Sequence, residues 1–550
     1  MSGLPPEVVA FIEAQDQKIA ALEERNRLLR LQVEQQAEQI RALQKVIYAP
    51  KSEKAKYICP EGFTQDTLFD EAEVCVAADP EPTEPKIISI PAHTRKPKRT
   101  KDELAKTLPV VEVLHTTPES ERSCNICANQ MQPIGKELVR QELSIIPAQA
   151  FVTHTYRENY ACHTCEAETD EANIVKAKTP EAVVKRGLAA PSAVAYTMYQ
   201  KYVNAMPLYR QEKDWLNFGV KISRATLANW IIYTANRWLA PLWSAMKDIL
   251  LLSQLIYADE TVVQVLSEPG KTPQSKSRMW VYATGNPPPD VLEGANADGT
   301  PRIILYDYQP DRAGENARRF LTVDHPFYLH TDGYEGYNGV ANAVRVGCWA
   351  HARRKWNEAM PKSPPKDNPA YIGLRYCQKL FELERKYAES GMSPDERLAA
   401  RREHSKPVAE AYYAWLENDL RPLAGSKLAI AATYAKNQKA ELMMFLETGL
   451  VELSTNYVEN AIRPFAVGRK NWLFADSVAG ATASAVIYSI IETAKANALN
   501  PYEYLLLLFT ELPQVLAANP LADLAPFFPW TPGISDRCRI LKSALHSSLA

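Results

Sequence analysis

The chain has 550 residues, of which 46% are hydrophobic and 23% are charged, and its formal net charge is −2 at pH 7. Single cores stop growing near roughly 250–300 residues, so several domains are expected. The near-neutral charge excludes a uniformly basic protein, so nucleic-acid binding would depend on local basic patches. With no uncharged apolar run of eighteen residues and no secretion signal at its start, the chain is expected to be cytoplasmic, with no membrane partner.

The first predicted element, within residues 1–50, is a coiled coil. A heptad repeat runs from Ile12 to Ile47, and eight of its eleven seam positions are apolar. β-branched residues at the a positions and leucine at the d positions favour a parallel dimer in which Asn26 faces its own copy. We therefore expect a homodimer or a higher homo-oligomer. The alternative is an amphipathic helix folded onto its own chain.

Residues 51–107 are predicted to be a linker. Between about Ala77 and Lys101 the chain contains five prolines and no glycine, which is typical of an extended, semi-rigid segment. The end of the linker carries a basic arm that could lie along phosphates or enter a minor groove. A solvated linker with incidental charge is the alternative. The DNA-binding candidates in the arm are Arg95, Lys96, Lys98 and Arg99.

Two C-x-x-C pairs predict a zinc-binding domain within residues 108–180. Cys124 and Cys127 form the first pair, Cys162 and Cys165 form the second, and 34 residues separate the pairs. Each pair can donate two thiolates to one tetrahedral zinc ion, and the strand-like runs between the pairs suit a zinc ribbon. Buried cysteines without a metal are the alternative.

Residues 181–250 are predicted to form a helical DNA-binding domain that looks like a helix-turn-helix. Residues 208–218 supply one helix, Gly219 the turn, and Ser223 the N-cap of a second helix. The start of that second helix would face the major groove. An ordinary pair of helices in an all-α domain is the alternative. The predicted DNA-binding residues are Lys221, Arg224, Thr226 and Asn229.

The stretch from 251 to 350 has the pattern of a mixed sheet. Its apolar runs predict three strands, then a helix, then two further strands. Three strands, a helix and a further strand is the order of the ribonuclease H-like fold, which we expect for the first part of a catalytic domain. The predicted strands are 254–265, 277–285, 301–309, 327–332 and 343–348, and the predicted helix is 315–321.

Three acidic residues lie where a metal-dependent phosphoryl-transfer site would need them. Asp259 and Asp332 are on the first and fourth of these strands, and Glu459 opens a helical stretch. A two-metal site holds two divalent cations about 3.5–4 Å apart between carboxylates and promotes in-line displacement at phosphorus. We therefore expect two Mg²⁺ ions at these three residues.

Other acids compete for this role, and one of the three has a structural alternative. Glu260 follows the first acid directly but points to the opposite face of the strand, because side chains alternate. Asp307 and Asp311, at the third predicted strand, are candidates for surface or salt-bridge positions. Glu459 could instead belong to a capping box, with Asn456 as the N-cap and Glu459 as the third helical residue.

Residues 351–450 are predicted to be a helical insertion, because 126 residues separate Asp332 from Glu459, far more than a connection inside a compact domain needs. The catalytic domain would resume over 451–510, and 511–550 would form a C-terminal tail. Two basic clusters would hold phosphates near the acids, or be solvated helix faces. These clusters are Arg353, Arg354 and Lys355, and Arg463, Arg469 and Lys470.

Several motifs are shared with one known family. They are the double C-x-x-C, LFDEAE near residue 70, VGCWAHARRKW and ENAIRPFAVGRKNWLF. With these motifs the chain resembles the insertion sequence 66 family of transposases over most of its length. The resemblance implies a multidomain α+β protein with a coiled coil, a zinc domain, a helical DNA-binding region and a ribonuclease H-like catalytic domain. It also implies an Asp-Asp-Glu triad at Asp259, Asp332 and Glu459, and accessory proteins encoded beside the transposase.

The sequence therefore predicts a metal-dependent enzyme that cuts DNA at the ends of an insertion sequence and joins those ends to a target. It would work in the cytoplasm, associated with the nucleoid, and its partners would be double-stranded DNA, a second copy of itself and small accessory proteins. Two alternatives from other classes are a DNA-binding regulator without chemistry and a structure-selective DNA nuclease of the same fold.

Overall fold

The computed structural model describes residues 148–162, 173–285, 300–361 and 367–538, together with single residues at positions 114, 136 and 138. The predicted coiled coil, the linker with its basic arm, and Cys124, Cys127 and Cys165 lie outside the described residues. The described residues divide into two compact units. We call the one made of His330–Tyr334 and Arg345–Thr455 the insertion unit, and the one made of the other described residues the sheet unit.

A small antiparallel pair of strands precedes the main domain. Strand β1 (Asn159–Cys162) pairs with β2 (Asn173–Lys176), and Cys162 is opposite Asn173. The second C-x-x-C pair therefore begins where β1 ends.

Four helices follow in the sheet unit. They are α1 (Pro191–Tyr202), α2 (Leu208–Asn217), α3 (Arg224–Thr234) and α4 (Ala240–Leu250), and a π-helical segment (Ala235–Leu239) joins α3 to α4. Gly219 follows α2 with φ of 81°, a left-handed conformation that glycine adopts without strain. Ser223 caps α3, because its side chain accepts a hydrogen bond from the Thr226 backbone N–H at 3.2 Å. The predicted helices, turn and cap are confirmed.

A six-stranded sheet forms the centre of the sheet unit. Its strands run in the order β5-β4-β3-β6-β7, with β8 parallel to β3, while β3–β4 and β4–β5 are antiparallel. Every strand predicted between residues 254 and 348 is present. The strands are β3 (Leu255–Ser267), β4 (Lys276–Thr284), β5 (Ile304–Gln309), β6 (Phe327–His330), β7 (Ala343–Val346) and β8 (Ala475–Ser477).

One face of this sheet is covered by short local elements. Helix α5 (Gly314–Phe320) stacks Phe320 on Tyr282 with ring centroids 3.8 Å apart. A 3₁₀ turn (Glu335–Tyr337) places Tyr337 against Trp280 at 5.5 Å. Helix α5 is the helix predicted between the third and fourth strands.

The insertion unit is helical, as predicted for residues 351–450. A buried cation organises it: Arg401 donates to both carboxylate oxygens of Glu384, at 2.8 and 2.6 Å, and to the backbone carbonyls of Phe445, Thr448 and Val451. The helices of this unit are α6 (Trp349–Ala359), α7 (Pro369–Glu389), α8 (Pro394–Ala400), α9 (Lys406–Asn418), α10 (Lys427–Asn437) and α11 (Lys439–Met443).

The other face of the sheet packs against two long helices, α12 (Asn456–Trp472) and α13 (Val478–Ala496). Tyr306 on β5 lies between them, 6.3 Å from the Phe465 ring and 5.4 Å from the Tyr488 ring. Helix α13 also covers the edge of β5, because Ser489 Oγ accepts from the Tyr306 N–H at 2.7 Å and Thr493 Oγ1 from the Ile304 N–H at 3.0 Å. The side chains of α13 thus satisfy an edge that would otherwise be open to pairing.

Two further helices complete the described chain, α14 (Pro501–Ala518) and α15 (Pro532–Cys538). Helix α14 packs against α1 and buries Leu508 and Leu512. It crosses residue 510, so the proposed boundary before a C-terminal tail falls inside a buried helix, and the folded part continues to Cys538. None of the helices in the described part of the chain is long and apolar enough to span a membrane.

Candidate functional site

Asp259 lies in the middle of β3, opposite Val281 of β4. Side chains alternate along a strand, so Asp259 shares a face with Tyr257 and Thr261. Tyr257 is buried and contacts the Tyr457 ring edge-on, with centroids 5.9 Å apart. Because Tyr457 belongs to α12, the face that carries Asp259 is the face on which α12 packs.

Helix α12 runs along β3 in the direction of the strand. Tyr457 in its first turn meets Tyr257, and Arg469 near its end donates to the Val262 carbonyl and lies 3.4 Å from Thr261 Oγ1. The first turn, which carries Glu459, therefore lies against the part of β3 that carries Asp259. The elements that carry two of the three predicted acids, β3 and α12, therefore pack against each other in the sheet unit.

The start of α12 bears on the capping-box alternative for Glu459. The helix begins at Asn456, which makes Asn456 its first residue instead of its N-cap and puts Glu459 in the fourth position. A capping box needs its acid in the third position. The observed start of α12 therefore argues against the capping-box interpretation of Glu459.

Glu260 faces the other side of β3. Its carboxylate accepts a hydrogen bond from the Tyr337 hydroxyl at 2.7 Å and forms an ion pair with Arg312. Burial raises the pKa of Tyr337 well above its usual value, and the charges of Glu260 and Asp259 add to this effect. Glu260 therefore ties the 3₁₀ turn and the chain before α5 to the sheet.

The acids near β5 have structural partners. Asp311 Oδ1 accepts from the Ala313 N–H at 2.9 Å and from Asn316 Nδ2 at 2.8 Å, and these bonds lower the pKa of its carboxyl. Asp307 accepts from Gln309 Nε2 at 2.7 Å, and burial raises its pKa. Asp311 therefore holds the turn that leads into α5 and ties it to Asn316 in that helix.

Asp332 belongs to the insertion unit and follows the last residue of β6 by two positions. Its Oδ1 accepts from the Tyr334 N–H at 2.9 Å, which bends the chain locally. Arg345 Nη2 donates to the Asp332 carbonyl at 2.9 Å and to Thr331 Oγ1 at 2.7 Å. The Thr331 N–H donates to the Val346 carbonyl at 3.1 Å. The backbone around Asp332 is therefore held by the chain at the end of β7.

Two buried groups of the insertion unit flank this loop in sequence. His330 is fully buried, and burial lowers its pKa to about 3, so the ring is neutral near pH 7. Burial alone would raise the pKa of the Cys348 thiol, but the nearby His351 and hydrogen bonds from Thr455 lower it below its usual value. Both the N–H and the hydroxyl of Thr455 lie 3.3 Å from Cys348 Sγ. The sequence had suggested no role for Cys348.

The predicted phosphate-binding residues have different surroundings. Lys470 is exposed, whereas Arg469 is half-buried and anchored to β3. Arg353 lies over the Phe381 ring at 4.6 Å, and Lys355 lies over the Tyr434 ring at 4.9 Å. The others form two groups: Arg354 and Arg463 are half-buried, and Lys221, Arg224, Thr226 and Asn229 are exposed at the start of α3. Of these residues, Lys470 and the α3 group are the most available to a nucleic acid.

Comparison with known families decides the identity. The sequence model described as "Transposase IS66 family" matches residues 186–483, more than half of the chain. The chain belongs to the IS66 transposase family. A "zinc-finger binding domain of transposase IS66" matches residues 121–166, which include all four predicted zinc ligands, and an "IS66 C-terminal element" matches residues 489–530. This IS66 protein is therefore a transposase with a zinc-finger-type domain, and DNA is its partner.

Relatives with comparable length come from Sinorhizobium fredii (strain NBRC 101917 / NGR234). The uncharacterized protein y4jD is 28% identical over 500 residues, which cover 89% of this chain and 92% of y4jD. The uncharacterized protein y4hP is 28% identical over 431 residues, covering 75% of this chain and 74% of y4hP. No solved structure matches the chain. The IS66 transposase thus shares nearly its whole length with at least one relative.

Proposed function

We propose that this transposase cuts and joins DNA strands with a metal-dependent Asp-Asp-Glu site made by Asp259, Asp332 and Glu459. The observation that supports the proposal is the packing of α12, the helix that carries Glu459, along β3, the strand that carries Asp259. The strand order, with the first strand at the centre of the sheet, supports a ribonuclease H-like fold.

The donor set fits a hard divalent cation. Carboxylate oxygens are the ligands that Mg²⁺ prefers, and the three proposed ligands are all carboxylates. When bound, two Mg²⁺ ions would lower the pKa of the attacking water and neutralise charge developing at phosphorus. The chain's part is to hold the carboxylates on a strand, on a helix and on a loop braced by side chains, so that the reacting groups are oriented in advance.

The proposed reaction has two steps at the same three carboxylates. In the first, the oxygen of a water attacks the phosphorus at the element end, and the bond to the 3′ oxygen breaks, which releases a 3′-hydroxyl. In the second, that hydroxyl attacks a phosphorus of the target strand and displaces another 3′ oxygen. Each step exchanges one phosphoester bond for another P–O bond, with the proton of the nucleophile passing to solvent or a nearby base.

DNA would be held by several basic surfaces. Exposed residues at the start of α3 suit the major groove, and Arg463 and Lys470 of α12 would contact phosphates. Arg353, Arg354 and Lys355 would add charge from the insertion unit. The arm at Arg95, Lys96, Lys98 and Arg99 would extend the contact along the duplex.

The remaining domains would assemble and stabilise the protein. Cys124, Cys127, Cys162 and Cys165 would hold one zinc ion, since two C-x-x-C pairs supply a complete tetrahedral site. The heptads of residues 1–50 would form a parallel dimer. Small accessory proteins of the same element and a location at the cytoplasmic nucleoid are part of the same proposal.

A strand-transfer assay tests the function. Full-length protein is mixed with Mg²⁺, a short duplex that carries the terminal repeat flanking its gene, and a plasmid target. Joined product is the expected result. Cut product alone would indicate a nuclease, and binding without cleavage would indicate a regulator without chemistry; either outcome would contradict the proposal.

A further inference from the structure

The loop that carries Asp332 is packed against the helical insertion. His330–Tyr334 belong to the same compact unit as Arg345–Thr455, which contains all the helices from α6 to α11. Asp332 and α10 are about a hundred residues apart in sequence, so this contact is made only by the tertiary fold. The helices of the insertion are therefore in a position to influence Asp332 directly.

One contact of the loop with these helices is at Gly333, directly after Asp332. A Cβ atom added to Gly333 would lie 2.9 Å from Cε2 of Tyr434 and 3.2 Å from Cδ of Gln438. Carbon atoms in packed proteins approach to about 3.5–4.0 Å. Only glycine therefore fits between Asp332 and the end of α10 without displacing the Tyr434 ring.

The Tyr434 ring is held from a second direction as well. The Lys355 ammonium of α6 lies 4.9 Å from the ring centroid, and helix α6 packs against α10. Burial raises the pKa of the Tyr434 hydroxyl, and the charges of Cys348 and Asp332 raise it further. The Tyr434 side chain is thus neutral and held in place, it packs beside Gly333, and it is close enough to Asp332 for the two groups to interact electrostatically.

The insertion also forms hydrogen bonds with the segment that follows β7. The Gly347 N–H donates to the Glu441 carbonyl of α11 at 2.9 Å, and the Trp349 Nε1–H donates to the Leu442 carbonyl at 2.7 Å. Arg345, two residues before Gly347, is the residue that clamps the Asp332 carbonyl. Helices α10 and α11 therefore fix both segments that shape the Asp332 loop.

We propose that Tyr434 is a positioning residue for Asp332: the ring packs against Gly333 and sets the backbone that presents the Asp332 carboxylate. The helical insertion is then a supporting wall of the metal site. This inference rests on the proposed function, because it takes Asp332 to be a metal ligand. Residues that support ligands in this way typically change metal affinity by about 10–100-fold when they are replaced.

The test measures Mn²⁺ binding to full-length protein without DNA, with free Mn²⁺ counted by electron paramagnetic resonance. Mn²⁺ binding at Asp332 is taken as the difference in bound Mn²⁺ between the unmodified protein and Asp332→Asn. Gly333→Ala should weaken it by about tenfold or more, because the new Cβ pushes the loop away from the ring. Tyr434→Phe should leave it unchanged, since the ring remains. Gly533→Ala is the matched control, because a Cβ there meets no atom within 4 Å.

A double variant separates positioning from general damage. Tyr434→Ala alone should weaken Mn²⁺ binding, because the loop loses its wall. Gly333→Ala combined with Tyr434→Ala should bind Mn²⁺ no worse than Tyr434→Ala, because the added Cβ no longer meets a ring. Such strong non-additivity is the mark of two residues in contact. Thermal unfolding of each variant checks that the fold is kept. If one single variant does not fold, Tyr434→Phe and the double variant still test whether the ring positions the loop.

Several results would overturn the inference. Gly333→Ala that binds Mn²⁺ like Gly533→Ala, or a double variant whose loss is the product of the two single losses, would remove the positioning role and leave the proposed function standing. Asp332→Asn with unchanged Mn²⁺ binding and unchanged DNA cleavage would overturn both, because Asp332 would then not be a ligand.

Discussion

The two units of this transposase support their acids in different ways. In the sheet unit, Asp259 is part of a strand whose backbone is paired with β4 over nine residue pairs, and Glu459 is on a helix packed along that strand. In the insertion unit, Asp332 is on a loop held by side chains: Arg345 clamps its carbonyl, and Tyr434 closes the space beside Gly333. Hydrogen bonds between strand backbones persist when a side chain is replaced, whereas contacts made by side chains are lost. We therefore expect single substitutions to affect the Asp332 loop more readily than the Asp259 strand.

The largest expected effect is at the centre of the insertion unit. Arg401→Ala would leave the largely buried carboxyl of Glu384 without its partner and three backbone carbonyls without their donor. Breaking a buried ion pair in this way typically costs about 3–5 kcal/mol. Urea unfolding should show the loss, and limited proteolysis should show new cleavage between residues 367 and 455. Full protection from protease in Arg401→Ala would contradict the idea that this cation organises the insertion.

The next comparison uses two neighbouring cations of α12. Arg469→Ala should destabilise the sheet unit by about 1–3 kcal/mol, because the Val262 carbonyl loses a charged hydrogen-bond donor. Lys470→Ala should leave stability unchanged, since Lys470 is exposed, but should reduce the slope of log K against log salt for DNA by about one. Thermal unfolding and fluorescence anisotropy measure the two effects. Equal stability losses in both variants would show that Arg469 is not an anchor.

The smallest effect concerns a buried carboxyl behind the sheet. Burial raises the pKa of Glu492, although Lys495 lies 2.8 Å away and opposes the shift. A raised folded pKa means that the folded state keeps a proton that the unfolded state has lost, so stability falls as pH rises from the usual carboxyl pKa through the raised one. Glu492→Gln should remove this loss and gain at most about 1 kcal/mol at pH 7, with no gain at pH 4. A gain that is equal at both pH values would contradict this assignment.

The strands and the helix pair were predictable because their signals are local. The apolar, β-prone run at the start of β3 predicts that strand, and Gly219 with Ser223 gives the turn and cap of the helix pair. The boundary placed after residue 510 was wrong, because helix α14 (Pro501–Ala518) runs through it. These elements needed only the period of the chain and its turn residues.

The supports of the acids were not predictable in the same way. Gly333 and Tyr434 meet across about a hundred residues, and such a pair leaves no periodic trace in one sequence. The same holds for Ser489 and Thr493, which cover the edge of β5 from a helix far along the chain. The one local hint was the glycine directly after Asp332, since a glycine beside a functional residue often marks a close approach.

The most direct test of the account is strand transfer by Glu459→Gln with Mg²⁺ as the only divalent ion. Glutamine is nearly isosteric and would cap a helix almost as well, but it lacks the charge that binds a hard cation. We expect both cleavage and joining to fall to background while binding to the element end is kept, as for Asp259→Asn. Asp476→Asn, an exposed acid just beyond α12, is the control and should remain active. Strand transfer by Glu459→Gln at the level of Asp476→Asn would remove Glu459 from the site and contradict the account.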